Sequence, residues 1–192
     1  MLKSLVLGTI LGGLLAFLWS FISWELLPWH EKPLNTFLNN DEVSAVILSH
    51  TTKSGVYLLP GASTDGMTAE QKKAAEAVVM KKMQKGPVVF AAIRREGFGS
   101  FARGLITQYL ILTTAAFLLT WLVMQTSELS YAKRVIFLAV VGLSASVIAD
   151  LPHWNWWGFS TPYTAVMMAD YALTWLLAGS VIAKVAKGRA AA

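Results

Sequence analysis

The chain of 192 residues contains no cysteine, which excludes disulfide scaffolds, thiol redox chemistry and thiolate metal centres. Charge is scarce too: 14% of residues are Asp, Glu, Lys or Arg, against about a quarter in soluble domains. There are three histidines, and none stands in an HxxxH or HExxH arrangement, so no metal-ligand spacing is present. Walker and GxSxG patterns are missing, and Gly97-Phe98-Gly99-Ser100 lacks the remainder of a dinucleotide fingerprint. The net charge of +5 comes without a stripe of Lys and Arg interleaved with stacking aromatics, which argues against nucleic acid as a partner.

Apolar material is abundant instead. Hydrophobic residues make up 55% of the chain and eight are Trp, with a mean hydropathy of +0.53. Four apolar runs approach the length of a bilayer crossing, at about Leu5–Trp24, Leu105–Met124, Val135–Ala149 and Tyr163–Val185. The expected fold is an integral membrane protein, mainly α, with four transmembrane helices and a small α+β extracytoplasmic domain inserted between the first two. Residues 1–24 read as an uncleaved signal anchor: Lys3 precedes an apolar run that lacks a small-x-small exit. Gly8, Gly12, Ala16 and Ser20 recur every fourth residue along it, forming a strip that lets another helix approach closely. Residues 104–192 form a three-helix region with a cytoplasmic tail ending Lys187-Gly188-Arg189-Ala190-Ala191-Ala192.

Residues 25–103 are the polar part. Asn40-Asp41-Glu42 offers a cap and an acidic first turn for a helix through Leu48. Ser54–Leu59 reads as a strand, Thr68–Met83 as a helix, and Val88–Ile93 as a second strand. Strand, helix, strand suggests a minimal crossover unit with parallel strands, antiparallel pairing being the alternative. Asp150–Pro162 reads as a tight, Trp-rich loop before the last span.

Basic residues set the expected orientation. Lys3, Lys133, Arg134, Lys184, Lys187 and Arg189 share one side, whereas Asp150–Pro162 has no Lys or Arg. By the positive-inside rule both termini are cytoplasmic and residues 25–103 lie outside, in the periplasm if the membrane is a bacterial inner membrane. The ten basic residues of that long segment count weakly, because long loops translocate largely regardless of charge.

The sharpest single residue is Asp170, a carboxylate inside the fourth apolar run. An acid there needs a partner, water or another subunit. One reading is proton transfer, cation coordination or a buried contact; the other is a protonated Asp170 hydrogen-bonded to Gln108, Thr113 or a backbone carbonyl. His30 and His153 flank apolar runs on the outer side, and with Asp150 and Asp170 they form the candidate ligand or metal site. Trp24, Trp29, Trp154, Trp156 and Trp157 place five of the eight tryptophans at one interface, as anchors or as a recognition surface. No motif indicates a cofactor. The leading functional reading is a non-catalytic accessory, structural or assembly subunit that contacts lipid and a membrane-protein partner or a second copy of itself. The alternative is a membrane enzyme or a metal-, lipid- or quinone-binding protein built around His30, Asp150, His153 and Asp170.

Overall fold

The computed structural model describes residues 1–126 and 129–186; Lys187 and Arg189 of the expected basic tail lie outside them. The elements run α1 (Leu2–Phe21), a π-helical turn (Ile22–Leu26), α2 (Asn40–Ser49), β1 (Gly55–Leu59), α3 (Ala69–Lys85), β2 (Val89–Ile93), α4 (Phe101–Met124), α5 (Tyr131–Trp157) and α6 (Thr161–Val185). They fall into two compact units, Thr36–Gly99 and Met1–Asn35 with the described part of Ser100–Ala192. The polar unit is thus narrower than the 25–103 expected, because residues 27–35 turn back onto the helical unit.

Four helices are long and apolar enough to cross a membrane: α1 with its π turn, α4, α5 and α6. At 1.5 Å per residue, the 24 residues of α4 span about 36 Å. Serine side chains start three of them. Ser100, Ser130 and Ser160 accept hydrogen bonds from the backbone N–H groups of Arg103, Lys133 and Tyr163, satisfying donors that a helix start leaves free. Within the unit α1 packs against α4 and α6, and α6 packs against α5. The core is small and close-set, with Ala16, Ala116, Val123, Leu138, Ala178 and Ile182 fully buried. No more than 33% of the most apolar stretch of any of the four helices is buried. The outer faces therefore present Leu, Ile, Val and Phe side chains such as Ile10, Leu118, Ile136 and Ile148.

Small residues set the helix spacing. A methyl group at Gly8 would meet the Thr120 side chain at 2.5 Å, and one at Gly12 would meet Ile182 at 2.6 Å. Ala16 is fully buried, so three of the four positions in the expected strip lie against neighbouring helices, while Ser20 is only partly buried. Gly13, off that strip, is equally enclosed: a Cβ there would come within 2.8 Å of the Thr113 backbone. Gly142 on α5 has the same role against the Trp175 side chain of α6.

Two expectations are corrected. The segment expected as a loop from Asp150 to Pro162 continues α5 as far as Trp157, with Pro152 inside the helix. Pro152 has no N–H to give the Ile148 carbonyl, so the helix runs through it with one backbone bond fewer. The turn is confined to Gly158–Ser160, where Gly158 takes the left-handed conformation at φ 74° that closes the helix. In the polar unit the two strands pair antiparallel, Gly55 opposite Ile93 and Leu59 opposite Val89, and not in the parallel arrangement a crossover would give. A parallel unit needs its helix packed on the sheet, and α3 has no buried residue. That helix is held by local means instead: Thr68 accepts from the Gln71 N–H while Gln71 returns a bond to the Thr68 N–H, a capping box. The cap of α2 is Asn39, whose side chain accepts from the Glu42 N–H at 3.1 Å, one residue before the Asn40 expected.

Arg95 bridges the ribbon to the end of α2. Arg95, just after β2, donates from its guanidinium to the Leu48 carbonyl at 2.6 Å, to the Thr51 hydroxyl at 2.8 Å and to the Thr51 carbonyl. Beside it the Arg95 N–H donates to Ser54 Oγ at 2.9 Å, and Ser54 donates to Glu96. That hydroxyl holds the exposed Glu96 carboxyl below its ordinary range.

Candidate functional site

The π turn builds the site. Continuing an α-helix through Ile22–Leu26 would keep the 3.6-residue repeat; the wider turn, closed by the Leu27 N–H to the Ile22 carbonyl at 3.1 Å, reorients Ser23 and Trp24 relative to α1. Such turns recur at functional sites. Ser23 becomes fully buried and faces α6, and the chain then folds back so that His30, 3% exposed, reaches the same spot.

Asp170 is the acceptor at the centre. It is 7% exposed. Its Oδ1 accepts from Trp19 Nε1 at 2.8 Å and from Ser23 Oγ at 2.7 Å, and its Oδ2 lies 3.5 Å from His30 Nε2. The partners come from α1 and the segment after it, and not from Gln108 or Thr113 of α4 as the sequence suggested. Ser23 is the relay. Its single proton goes to Asp170, and its two lone pairs receive Trp29 Nε1 and His30 Nε2, each at 3.0 Å. Trp29 Nε1 also reaches the Ser23 carbonyl at 3.1 Å. With both hydroxyl lone pairs accepting, the proton of neutral His30 sits on Nε2. Nδ1 is then a bare acceptor, and it is buried with no hydrogen-bond partner. Burial holds the imidazole below its ordinary range, against an upward pull from the Asp170 carboxylate.

The aromatic rings close the site. Trp24 lies flat on His30, with centroids 3.9 Å apart and planes at 9°, while Trp29 meets both His30 and Trp19 edge-on. Trp29 is thus an internal hydrogen-bond donor, whereas Trp24 keeps an exposed outer face.

Two of the four candidate ligands, His30 and Asp170, come together. Asp150 accepts instead from Ser146 of its own helix, and the His153 ring packs against Phe159 at 5.2 Å. Among the described residues no group of three or more His, Asp or Glu side chains is placed to hold a metal ion, so the four do not form a metal centre. Trp154 and Trp156 are exposed and Trp157 is partly buried, and Trp154 donates to Thr161 at 3.1 Å. The residues missed by the sequence reading are Ser23 and Trp19. The available signal was a Trp and a Ser near the end of an apolar run, at a depth similar to that of Asp170.

Serine, histidine and aspartate in one cluster invite comparison with an acyl-transfer triad. In a triad the imidazole stands between the other two, taking the serine proton on one nitrogen and donating to the carboxylate from the other. Here Ser23 and Asp170 both face Nε2, the serine hydroxyl donates to the carboxylate, and Nδ1 has no hydrogen-bond partner. The geometry does not activate Ser23 as a nucleophile. It clasps the end of α1 and the following segment to α6. No protein family, curated protein or solved structure matches the chain.

Proposed function

We propose that the chain is a multi-pass protein of a bacterial inner membrane, with both termini cytoplasmic and residues 25–103 periplasmic. In this reading it is an accessory or assembly subunit of a membrane complex, in contact with lipid and with a membrane-protein partner or a second copy. One observation carries the reading. The polar side chains of the site bond to one another across α1 and α6, while the outer helix faces are left apolar. Such a body suits contacts with lipid chains and with other apolar helices. Lys3, Lys133, Arg134 and Lys184, at the start of α1, around the α4–α5 link and at the end of α6, support the orientation.

The cysteine-free chain permits a direct test. In intact cells a membrane-impermeant thiol reagent is expected to label Lys72→Cys and to spare Arg134→Cys; the opposite pattern refutes the orientation. Purification in mild detergent is expected to retain a stoichiometric protein partner or a second copy. An isolated chain carrying a metal, quinone or pigment refutes the accessory role in favour of a ligand-binding one.

A further inference from the structure

We infer that His30 is a proton-binding site whose occupation releases the clasp, so that the segment from Leu27 to Asn35 is held on α6 at neutral pH and freed on acidification. The inference rests on the clasp geometry and not on the accessory role proposed above.

The argument starts from the hydrogen-bond pattern. Nε2 of neutral His30 is committed to Ser23 at 3.0 Å, so an incoming proton has one place to go, Nδ1. That atom is buried without a partner. In the closed clasp a proton there creates a second N–H with no acceptor, and a cation whose flat face is covered by Trp24. A buried donor left unsatisfied is disfavoured, and so is a desolvated charge. In the open state the same N–H meets water and both penalties vanish. The compensating attractions come from Asp170 of α6, the charged group that acts on His30, and from the indole face of Trp24, over which a cation is favoured. Glu25 and Glu31, its neighbours along the chain, make no ion pair with it among the described residues. From α1 and its π turn Trp19 and Ser23 contribute uncharged donors, and both are already directed at Asp170.

The balance of these effects lies with burial, which holds His30 below its ordinary value of 6.5. A group that titrates lower in the closed state than in the open one binds its proton preferentially when open. The closed state is therefore favoured at neutral pH and loses ground as pH falls below 6.5. Between the two titration points the closed-to-open ratio drops about tenfold per pH unit. The released segment runs directly into Thr36, the first residue of the polar unit.

The test uses the full chain in lipid nanodiscs, with spin labels at Lys32→Cys and Ala165→Cys, both exposed positions of the helical unit. Distances are measured from pH 8 to pH 5. A single short distance at pH 8 and a growing long-distance population below pH 6.5 are expected, the ratio moving by up to about tenfold per unit. His30→Gln is expected to remove the pH response. An unchanged distance across the range, or the same response in His30→Gln, overturns the inference. A broad distance distribution already at pH 8 overturns the clasp itself. Should His30→Gln fail to close, a nitrogen-15 titration of the native histidines decides the matter. A His30 midpoint below the ordinary histidine value of 6.5, coincident with opening, supports the switch; a midpoint at or above it refutes the switch.

Discussion

Replacing Asp170 separates a structural acceptor from a tolerated polar residue. Its Oδ1 terminates two bonds, from Trp19 at 2.8 Å and Ser23 at 2.7 Å. In water-soluble proteins two hydrogen bonds to a charged group would amount to about 3–6 kcal/mol. The relevant scale for helices in a bilayer is smaller, about 0.6 and at most about 1.7 kcal/mol per bond, because separated helices find other partners. Asp170→Leu should therefore lower stability by about 1–3 kcal/mol, since it strands the Trp19 N–H and the Ser23 hydroxyl and unseats His30. Asp170→Asn keeps an acceptor at Oδ1 and should lose less, about 1 kcal/mol. The order wild type, Asn, Leu is the prediction. Reversible unfolding of the detergent-solubilised chain measures it, with Trp fluorescence as a second probe because Trp19, Trp24 and Trp29 surround the site. If Asp170→Leu equals or exceeds the wild type, burial of the leucine outweighs both bonds and the clasp contributes nothing.

The glycine contacts predict that Gly13→Ala is more disruptive than Gly12→Ala. The added methyl meets the Thr113 backbone at 2.8 Å in the first case and the flexible Ile182 side chain at 2.6 Å in the second; thermal unfolding should show a loss of about 1–3 kcal/mol for Gly13→Ala and a smaller one for Gly12→Ala. In the polar unit, Arg95→Ala removes the single nitrogen, Nη1, that reaches both Leu48 and Thr51; hydrogen exchange at the end of α2 should accelerate, and unchanged protection would refute the bridge. Glu96, held below its ordinary 4.5 by Ser54, favours the folded ribbon above that value and loses its contribution as pH falls through the lowered titration point; Ser54→Ala should reduce that dependence, read from ribbon amide shifts.

Much of the helical scaffold is legible in the sequence, because long apolar runs have few ways to be read. The ends are less so. Asp150-Leu151-Pro152-His153 looks like a turn, and α5 nevertheless continues through Pro152 to Trp157. Strand pairing was open for another reason: two five-residue strands carry no pattern that distinguishes parallel from antiparallel, and the intervening helix has no fully buried residue. The clasp was half visible. Asp170 announced a need for donors, and His30 stood near the correct interface. Depth alone did not choose between Trp19 on α1 and Gln108 on α4, as each lies about 10 Å in from the same end of the helical unit.

What makes the choice is the combination of two local features on α1. The glycines bring its axis close to α6 through Gly12 and Ile182, so an indole or hydroxyl on that face reaches Asp170 without a long side chain. The π turn then rotates Ser23 inward. The small-residue line from Gly8 through Gly12 and Ala16 to Ser20 lies wholly in the regular part of α1, and Ser20 is only partly buried. Ser23, at the start of the π turn and four residues after Trp19, is the hydroxyl that reaches Asp170, and its carbonyl and hydroxyl hold Trp29. The close packing of α1 and the polar site at its end are therefore one arrangement, in which small residues set the distance and a widened turn sets the direction.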